Sequence, residues 1–195
     1  MRPYLSSSDV ADWFKRKEVL TYIEARLDRA PYRAIGEFHL HSADQAQTPE
    51  LHRIAELAAD RGIHLHVHSG AEPVEALLKL RPGLKILWAH AGMSEPSNIV
   101  AAVLDRHELV SAELSFRAGD IAAGGTIEPA WRALLIRHAN RFLIGSDTYI
   151  TSRWDEYPAL IAEHRAWLAS LPIATAEAIA WRNAARLFGV RWPTN

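Results

Sequence analysis

Three histidines alternate with apolar residues in one short stretch of the chain, His64-Leu65-His66-Val67-His68, which the turn-forming pair Ser69-Gly70 follows directly. Strict alternation over this length predicts a β-strand, because successive side chains of a strand point to opposite faces. The three imidazoles would then share one face. Neutral imidazole is a common ligand of zinc and related divalent metals. The stretch therefore predicts a strand that presents possible metal ligands in one direction.

Four other strand-like runs carry polar side chains at or near their ends, namely Glu37-Phe38-His39, Trp88-Ala89-His90, Leu114-Ser115 and Gly145-Ser146-Asp147. In folds built from parallel strands, the ligand site lies beyond the carboxyl ends of the strands. We therefore expect His68, His90, Ser115 and Asp147 to meet at one site.

The acids and histidines of this predicted site suggest metal chemistry. We interpret His68 and His90 as metal ligands, the alternative being that they only bond to the backbone. We interpret Asp147 as a further ligand and general base, because a carboxylate beside a metal stays ionised and can accept a proton from bound water. Asp147 could instead cap the loop that follows it. Glu37, if buried, needs a partner, which a metal, a substrate or a structural ion pair would provide.

Polar residues beside these groups are candidates for substrate contacts. Arg117 follows Ser115 by two residues and could clamp a substrate carboxylate with two parallel hydrogen bonds; the alternative is an ordinary surface arginine. Ser115 and His39 are the other two candidates. The remaining histidines of the strand-like runs are interpreted as core residues or as groups that orient a ligand: His41, His64 and His66.

Alternating strands and helices must position these residues. The pattern predicts an N-terminal helix over residues 9–28 with Ser8 as its cap, βα units over 34–171, and a C-terminal helix over 174–189. Five alternations specify parallel strands joined by right-handed crossovers. An eight-stranded barrel takes roughly 200 to 250 residues or more. The sequence therefore predicts one α/β domain over residues 1–195 with about five βα units, an incomplete parallel barrel.

Composition excludes several classes of partner. The 195 residues carry 22 basic and 23 acidic side chains without a basic cluster, which argues against nucleic acid. The absence of cysteine excludes disulfides and thiolate metal sites. Neither the apolar core of a signal peptide nor a membrane-spanning run is present, so we expect a cytoplasmic protein with a small-molecule substrate. An exposed sheet edge would allow a homo-oligomer.

The site residues resemble the amidohydrolase superfamily, in particular its metal-dependent TIM-barrel hydrolases. Four signatures occur in the family's order: Gly36-Glu37-Phe38-His39, Val67-His68-Ser69-Gly70, Ala89-His90-Ala91-Gly92 and Leu143-Ile144-Gly145-Ser146-Asp147. The final run from Trp181 to Gly189 is similar to the family's terminal helix. The resemblance covers about residues 32–189 and implies barrel strands four to eight, without the first three.

The resemblance also implies roles. His68 corresponds to the metal ligand of the family's fifth strand, His90 to the histidine of the sixth, and Asp147 to the aspartate of the eighth that activates water. Glu37 stands where some relatives have a ligand, often a bridging one. The family's first-strand Asp-x-His-x-His ligands have no counterpart before Glu37.

These roles imply a metal-dependent hydrolase acting through a metal-activated water on a small amide, ester, lactone or carboxylated substrate, or a related non-oxidative decarboxylase. The expected cofactor is a divalent metal, zinc first, with manganese, iron or nickel as alternatives. Two other interpretations are a non-catalytic metal-binding remnant, or a fragment that needs a partner chain. A metal-dependent deoxyribonuclease is a third, against which the missing basic patch argues.

Overall fold

The computed structural model describes residues 1–5 and 10–191 of the chain. Five parallel strands form one sheet in which each strand neighbours the next in sequence, in the order β1-β2-β3-β4-β5. The strands are β1 (Ala34–His39), β2 (His64–His68), β3 (Lys85–Trp88), β4 (Val110–Glu113) and β5 (Phe142–Leu143). The predicted parallel α/β fold is confirmed.

Helices connect and flank the strands. They are α1 (Lys17–Arg29), α2 (Pro49–Asp60), α3 (Ala71–Leu78), α4 (Ser97–Arg106), α5 (Ala118–Ile121), α6 (Pro129–Arg137), α7 (Thr151–Leu168), α8 (Ile173–Glu177) and α9 (Asn183–Phe188), and a π-helical turn at Ala178–Arg182 joins α8 to α9. Short 3₁₀ turns lie at Trp13–Lys15, Ala43–Gln47, Ala89–Gly92 and Ala123–Gly125. Within the described residues, no helix is both long and apolar enough to cross a membrane.

Local sequence explains where helix α2 begins. The Thr48 hydroxyl accepts a hydrogen bond from the Leu51 N–H at 3.3 Å, and Pro49 takes the first helical position of α2. The apolar side of α2 then packs into the core, where Leu51 and Ile54 are fully buried. Leu65 of β2 is equally buried. The opposite, histidine-bearing face of β2 remains available for the site.

The N-terminal helix is shorter than the sequence predicted. Ser8 and Asp9, its predicted cap and first residue, lie outside the described residues, and α1 itself begins at Lys17 after an extended Arg16. The reason is Trp13, which is fully buried and whose indole Nε1–H donates a hydrogen bond to the carbonyl of His39 at 3.0 Å. A continuous helix would lack the extended backbone at Arg16, which separates the turn that carries Trp13 from α1.

The outer edge of β1 is bonded to the first residues of the chain. The amino group of Met1 donates to the carbonyl of Ala34 at 3.0 Å, and the N–H of Gly36 donates to the carbonyl of Met1 at 2.6 Å. Further along, the N–H of His39 donates to the hydroxyl of Tyr4 at 2.9 Å. These backbone groups of β1 face away from β2 and would otherwise lack a partner, but the first residues of the chain supply one for each.

The outer edge of β5 is bonded in the same way to the C-terminal helices. The N–H of Ile144 donates to the carbonyl of Ile179 at 3.2 Å, and the side-chain amide of Asn183 donates to the carbonyl of Phe142 at 2.8 Å. Asn183 is almost fully buried. Both edges of the open sheet are thus covered by groups of the same chain.

Candidate metal centre

Glu37 reaches the site through an irregularity in β1. Gly36 pairs with His66 and Phe38 pairs with Val67, so Glu37 is an extra residue that has no partner on β2. A bulge of this kind redirects the side chain of the inserted residue. Gly36 has a φ of +136°, and a Cβ there would collide with the carbonyl of His66. The regular alternation assumed from the sequence is therefore interrupted at the residue that the site uses.

Four predicted ligands converge at the carboxyl ends of the strands. Glu37 Oε1 lies 2.9 Å from His68 Nδ1 and 3.4 Å from His90 Nε2. His90 Nε2 lies 3.9 Å from Asp147 Oδ2. Glu37, His68 and His90 each offer a ligand atom within 4.8 Å of the others. Within the described residues, this is a donor set of imidazole nitrogen and carboxylate oxygen, which suits zinc, manganese, iron or nickel.

His90 is fixed in an unusual backbone conformation. It follows the end of β3, is fully buried, and has a φ of +55°, in the left-handed region that costs about 1–3 kcal/mol for a residue other than glycine. Its N–H donates to Glu113 Oε1 at 2.6 Å, and its ring Nδ1 lies 2.6 Å from the same oxygen. Holding Nδ1 in this way leaves Nε2 as the ring atom that can serve the site.

Glu113 is a functional residue that the sequence analysis missed. Besides His90, its carboxylate accepts the N–H of Ser115 at 2.9 Å and the Ser115 hydroxyl at 2.6 Å, both at Oε2. A Cβ at Gly145 would collide with the same carboxylate, so the neighbouring chain approaches closely only because it has glycine there. The signal was present, because a carboxylate inside an otherwise apolar strand needs a buried partner.

The side chains of Glu37, His90 and Asp147 shift one another's pKa values. Burial raises the pKa of Glu37, but the hydrogen bond with His68 and the nearby ring of His90 outweigh it and hold that pKa well below its usual range. Burial lowers the pKa of His90, but contacts with Glu113 and Glu37 outweigh it and raise the pKa to about 10. Burial and the charge of Glu37 raise the pKa of Asp147. The cluster is rich in negative charge and favours a cation.

Two ring nitrogens indicate that a metal would fit. His66 Nε2 and His90 Nε2 are buried and lack a hydrogen-bond partner within the part of the chain described. His66 Nε2 lies 4.0 Å from Glu37 Oε2. A buried nitrogen without a partner is costly, and a metal held by the adjacent carboxylate and imidazole would relieve that cost. The residues present therefore fit a divalent cation.

Asp147 is positioned by α7 and not by strand pairing. The strand β5 ends at Leu143, before the predicted strand-like run Gly145-Ser146-Asp147, whose carbonyls bond to side chains of α7 instead. His164 Nε2–H donates to the carbonyl of Gly145 at 2.8 Å. Arg153 donates from Nη2 to Ser146 and from Nε to Asp147, both at 3.0 Å. These bonds hold Asp147 at a φ of +41°.

Arg117, the predicted substrate clamp, is buried beneath the turn that follows β3. Only 1% of the residue is exposed, and its guanidinium donates to the carbonyls of the turn after β3. The acceptors are His90, Ala91, Met93 and Glu95. The guanidinium also lies over the ring of Trp131, 4.9 Å from its centroid. The guanidinium is therefore engaged with the backbone of this turn. Substrate contact by Arg117 stays a prediction.

The other two predicted substrate contacts differ in their surroundings. The Ser115 hydroxyl is committed to Glu113, as described above. His39 lines the cavity above the cluster, and its Nδ1 accepts the hydroxyl hydrogen of Tyr4 at 3.0 Å, since that oxygen already accepts the N–H of His39. Burial and the neighbouring His68 lower the pKa of His39 to about 4. Substrate contact by Ser115 and His39 stays a prediction.

Two cavities meet at the cluster. The larger, about 540 Å³, opens above it and is lined by Arg2, Glu37, His39, His68, Met93, Phe116, Asp147, Thr148 and Tyr149. The smaller, about 240 Å³, lies on the inner side of the sheet and takes lining residues from all five strands and from α9. Glu37 and Asp147 line both cavities. The larger volume is that of a small-molecule site.

Comparisons with known proteins place this geometry in context. Residues 10–190 match the family model described as Amidohydrolase. No curated protein matches at a significant level.

Two solved structures are similar to this chain. One is assigned as a 2-pyrone-4,6-dicarboxylic acid hydrolase from Pseudomonas putida, with 19% identity, a TM-score of 0.62, and coverage of 88% of this chain and 68% of that one. The other, given the same assignment, is from Acinetobacter baumannii and has citric acid bound. It has 13% identity and a TM-score of 0.62, and covers 90% of this chain and 70% of that one. The likeness confirms the predicted incomplete barrel of TIM type.

Proposed function

The chain belongs to the amidohydrolase family, and from this membership and the geometry of its site we propose that it is a metal-dependent hydrolase of a small amide, ester, lactone or carboxylated substrate. Membership of the family supports a hydrolytic enzyme in general. The observation that carries the finer proposal is the convergence of Glu37, His68 and His90 within 4.8 Å below a cavity of about 540 Å³.

Glu37, His68 and His90 would hold the metal, and Asp147 stands beside them. A bound divalent cation would supply Lewis acidity and lower the pKa of water. The donor set accepts zinc, manganese, iron and nickel, with zinc the first expectation. All four residues lie within the described part of the chain.

The chain's own residues account for the proton transfers. Asp147 lies at the floor of the cavity, where burial and the charge of Glu37 raise the pKa of its carboxyl toward the range useful for a general base. It would take a proton from the attacking water and return it to the leaving group. Glu113 fixes the ring of His90, so that Nε2 faces the site. This nitrogen would either help hold the metal or, if it carries the proton instead, stabilise the negative charge that develops on the substrate carbonyl.

Metal analysis combined with two kinds of variant tests the proposal. We expect about one divalent metal per purified chain, with its loss in both His68→Ala and His90→Ala and its retention in His52→Ala, which removes an exposed histidine from α2. Asp147→Asn should keep most of the metal and lower turnover of small esters and lactones by about 100-fold or more.

Two results would contradict these assignments. A folded chain without bound metal would refute the metal-dependent mechanism. Equal loss of metal and of turnover in Asp147→Asn would refute the general-base role and leave Asp147 as a ligand only.

A further inference from the structure

Arg2 is the single arginine or lysine among the residues that line the larger cavity in the described part of the chain. Its guanidinium lies over the ring of Tyr4, 5.3 Å from the centroid. Tyr4 is itself bonded to the backbone and ring of His39, and Met1 pairs with the edge of β1. The residues on either side of Arg2 are thus fixed to the strand that supplies Glu37.

The two other arginines near the site are already engaged. Arg117 is buried beneath the turn that follows β3. Arg153 bonds to the carbonyls of Ser146 and Asp147, and its Cζ lies 4.2 Å from the centroid of the Phe116 ring. Arg2 is in contrast exposed at the wall of the cavity.

The remaining walls of the cavity divide by polarity. Its floor carries the carboxylates of Glu37 and Asp147, which repel an anionic group of a ligand. Large apolar side chains line it as well, although each is substantially exposed, namely Met93 (41%), Phe116 (44%) and Tyr149 (62%). Exposed apolar groups around a cavity are typical of a surface that a ligand covers.

We propose that Arg2 anchors a carboxylate of the substrate, and that the substrate is a small molecule with a flat apolar body between this carboxylate and the bond to be cleaved. The inference rests on the proposed function and names the substrate class of the same site. The carboxylate avoids the acidic floor and binds the guanidinium, ideally with two parallel hydrogen bonds. The apolar body lies against Met93, Phe116 and Tyr149. This orientation presents the scissile group to Glu37 and Asp147.

Binding of a matched pair of probes tests the anchor without requiring turnover. Isophthalate and its neutral diamide, isophthalamide, have similar shape and differ in charge. Calorimetric titration on metal-free protein would compare the wild type with Arg2→Gln, Arg2→Lys and Arg132→Gln, the last an exposed arginine of α6. We expect isophthalate to bind the wild type and Arg132→Gln equally, to bind Arg2→Gln at least about tenfold more weakly, and to recover part of its affinity in Arg2→Lys.

The outcomes are separable from those of the proposed function. Equal affinity of isophthalate for the wild type and Arg2→Gln, preference for isophthalamide, or no binding of isophthalate to folded wild-type protein would each overturn the anchor. The fold of each variant is checked by its thermal unfolding, which an exposed Arg2 should leave unchanged. Arg2-dependent binding in a chain that holds no metal would refute the hydrolase mechanism and keep the anchor. Bound metal and turnover, without Arg2-dependent binding of isophthalate, would refute the anchor and keep the hydrolase mechanism.

Discussion

Replacing Glu113 with glutamine should be strongly destabilising although the two side chains have nearly the same shape. The carboxylate accepts two backbone N–H groups that cannot reorient, from His90 at 2.6 Å and from Ser115 at 2.9 Å, one on each oxygen. A carboxamide has only one oxygen. Whichever way it is turned, its NH₂ group faces one of these donors, and a hydrogen bond becomes a contact between two donors.

The magnitude follows from burial and charge. Glu113 is 8% exposed, and its partner His90 is fully buried. Breaking a buried charged pair by removing one charge typically costs about 3–5 kcal/mol. For a chain of this size, each kcal/mol lowers the melting temperature by roughly 2–4 °C. We therefore expect Glu113→Gln to melt about 10 °C below the wild type in metal-free buffer.

The pH dependence of this difference identifies its cause. The raised pKa of His90 means that its contribution is complete below about 6.5, its usual value, and is lost as pH rises through about 10. The lowered pKa of Glu113 means that its contribution is present above about 4.5 and is lost in more acidic solution. The gap between wild type and variant should therefore be widest between about pH 5 and 6.5 and should narrow toward pH 10.

Calorimetric melting of both proteins at several pH values measures these quantities. Glu18→Gln, which makes the same chemical change at an exposed position of α1, serves as the control and should stay within about 0.5 kcal/mol of the wild type. A Glu113→Gln protein that melts within about 3 °C of the wild type at pH 6, or whose deficit is independent of pH, would show that the pairing with His90 is not what makes Glu113 necessary.

Two further predictions concern the arginines that hold loops. Arg117→Met should lower the free energy of unfolding by about 3 kcal/mol or more, because four carbonyls lose charged donors. Chemical denaturation measures this free energy. An unchanged stability would contradict the structural role and favour the predicted substrate contact of Arg117. Arg153→Gln should speed hydrogen exchange of the segment around Asp147 while leaving that of β2 unchanged, because two of the carbonyls preceding α7 lose their donor. Arg153→Lys should restore only part of the protection, and equal exchange in all three proteins would contradict the role of α7 in positioning Asp147.

The position of the site was predictable from sequence because parallel strands place their carboxyl ends together. Once His68, His90 and Asp147 are each read as following an apolar strand, their convergence depends only on strand order, and the structure brings them together with Glu37. Their roles as ligands and general base stay predictions. The sequence also supported a parallel α/β fold, since hydrophobic periodicity alternates five times.

The features that sequence could not provide depend on contacts between distant segments. The bulge at Glu37 arises from the pairing of β1 with β2, and the short β5 from side chains of α7 that lie many residues later. The positions of Arg117 and Glu113 have the same origin. Arg117, predicted to contact the substrate, bonds to the backbone of a turn, whereas Glu113, which the sequence analysis missed, holds the ring of His90. Each is a buried charge, and which buried charge supports the backbone and which supports the site is decided by partners elsewhere in the chain.

The covering of the two sheet edges has a consequence for the growing polypeptide on the ribosome. The segment that covers β1 is synthesised before β1, so that edge can be closed as soon as the strand emerges. The groups that cover β5 belong to Ile179 and Asn183, which are made after every strand. Until they emerge, the carbonyl of Phe142 and the N–H of Ile144 stay open to any passing strand. The edge of β5 is therefore protected from pairing with other nascent chains only after Ile179 and Asn183 have emerged.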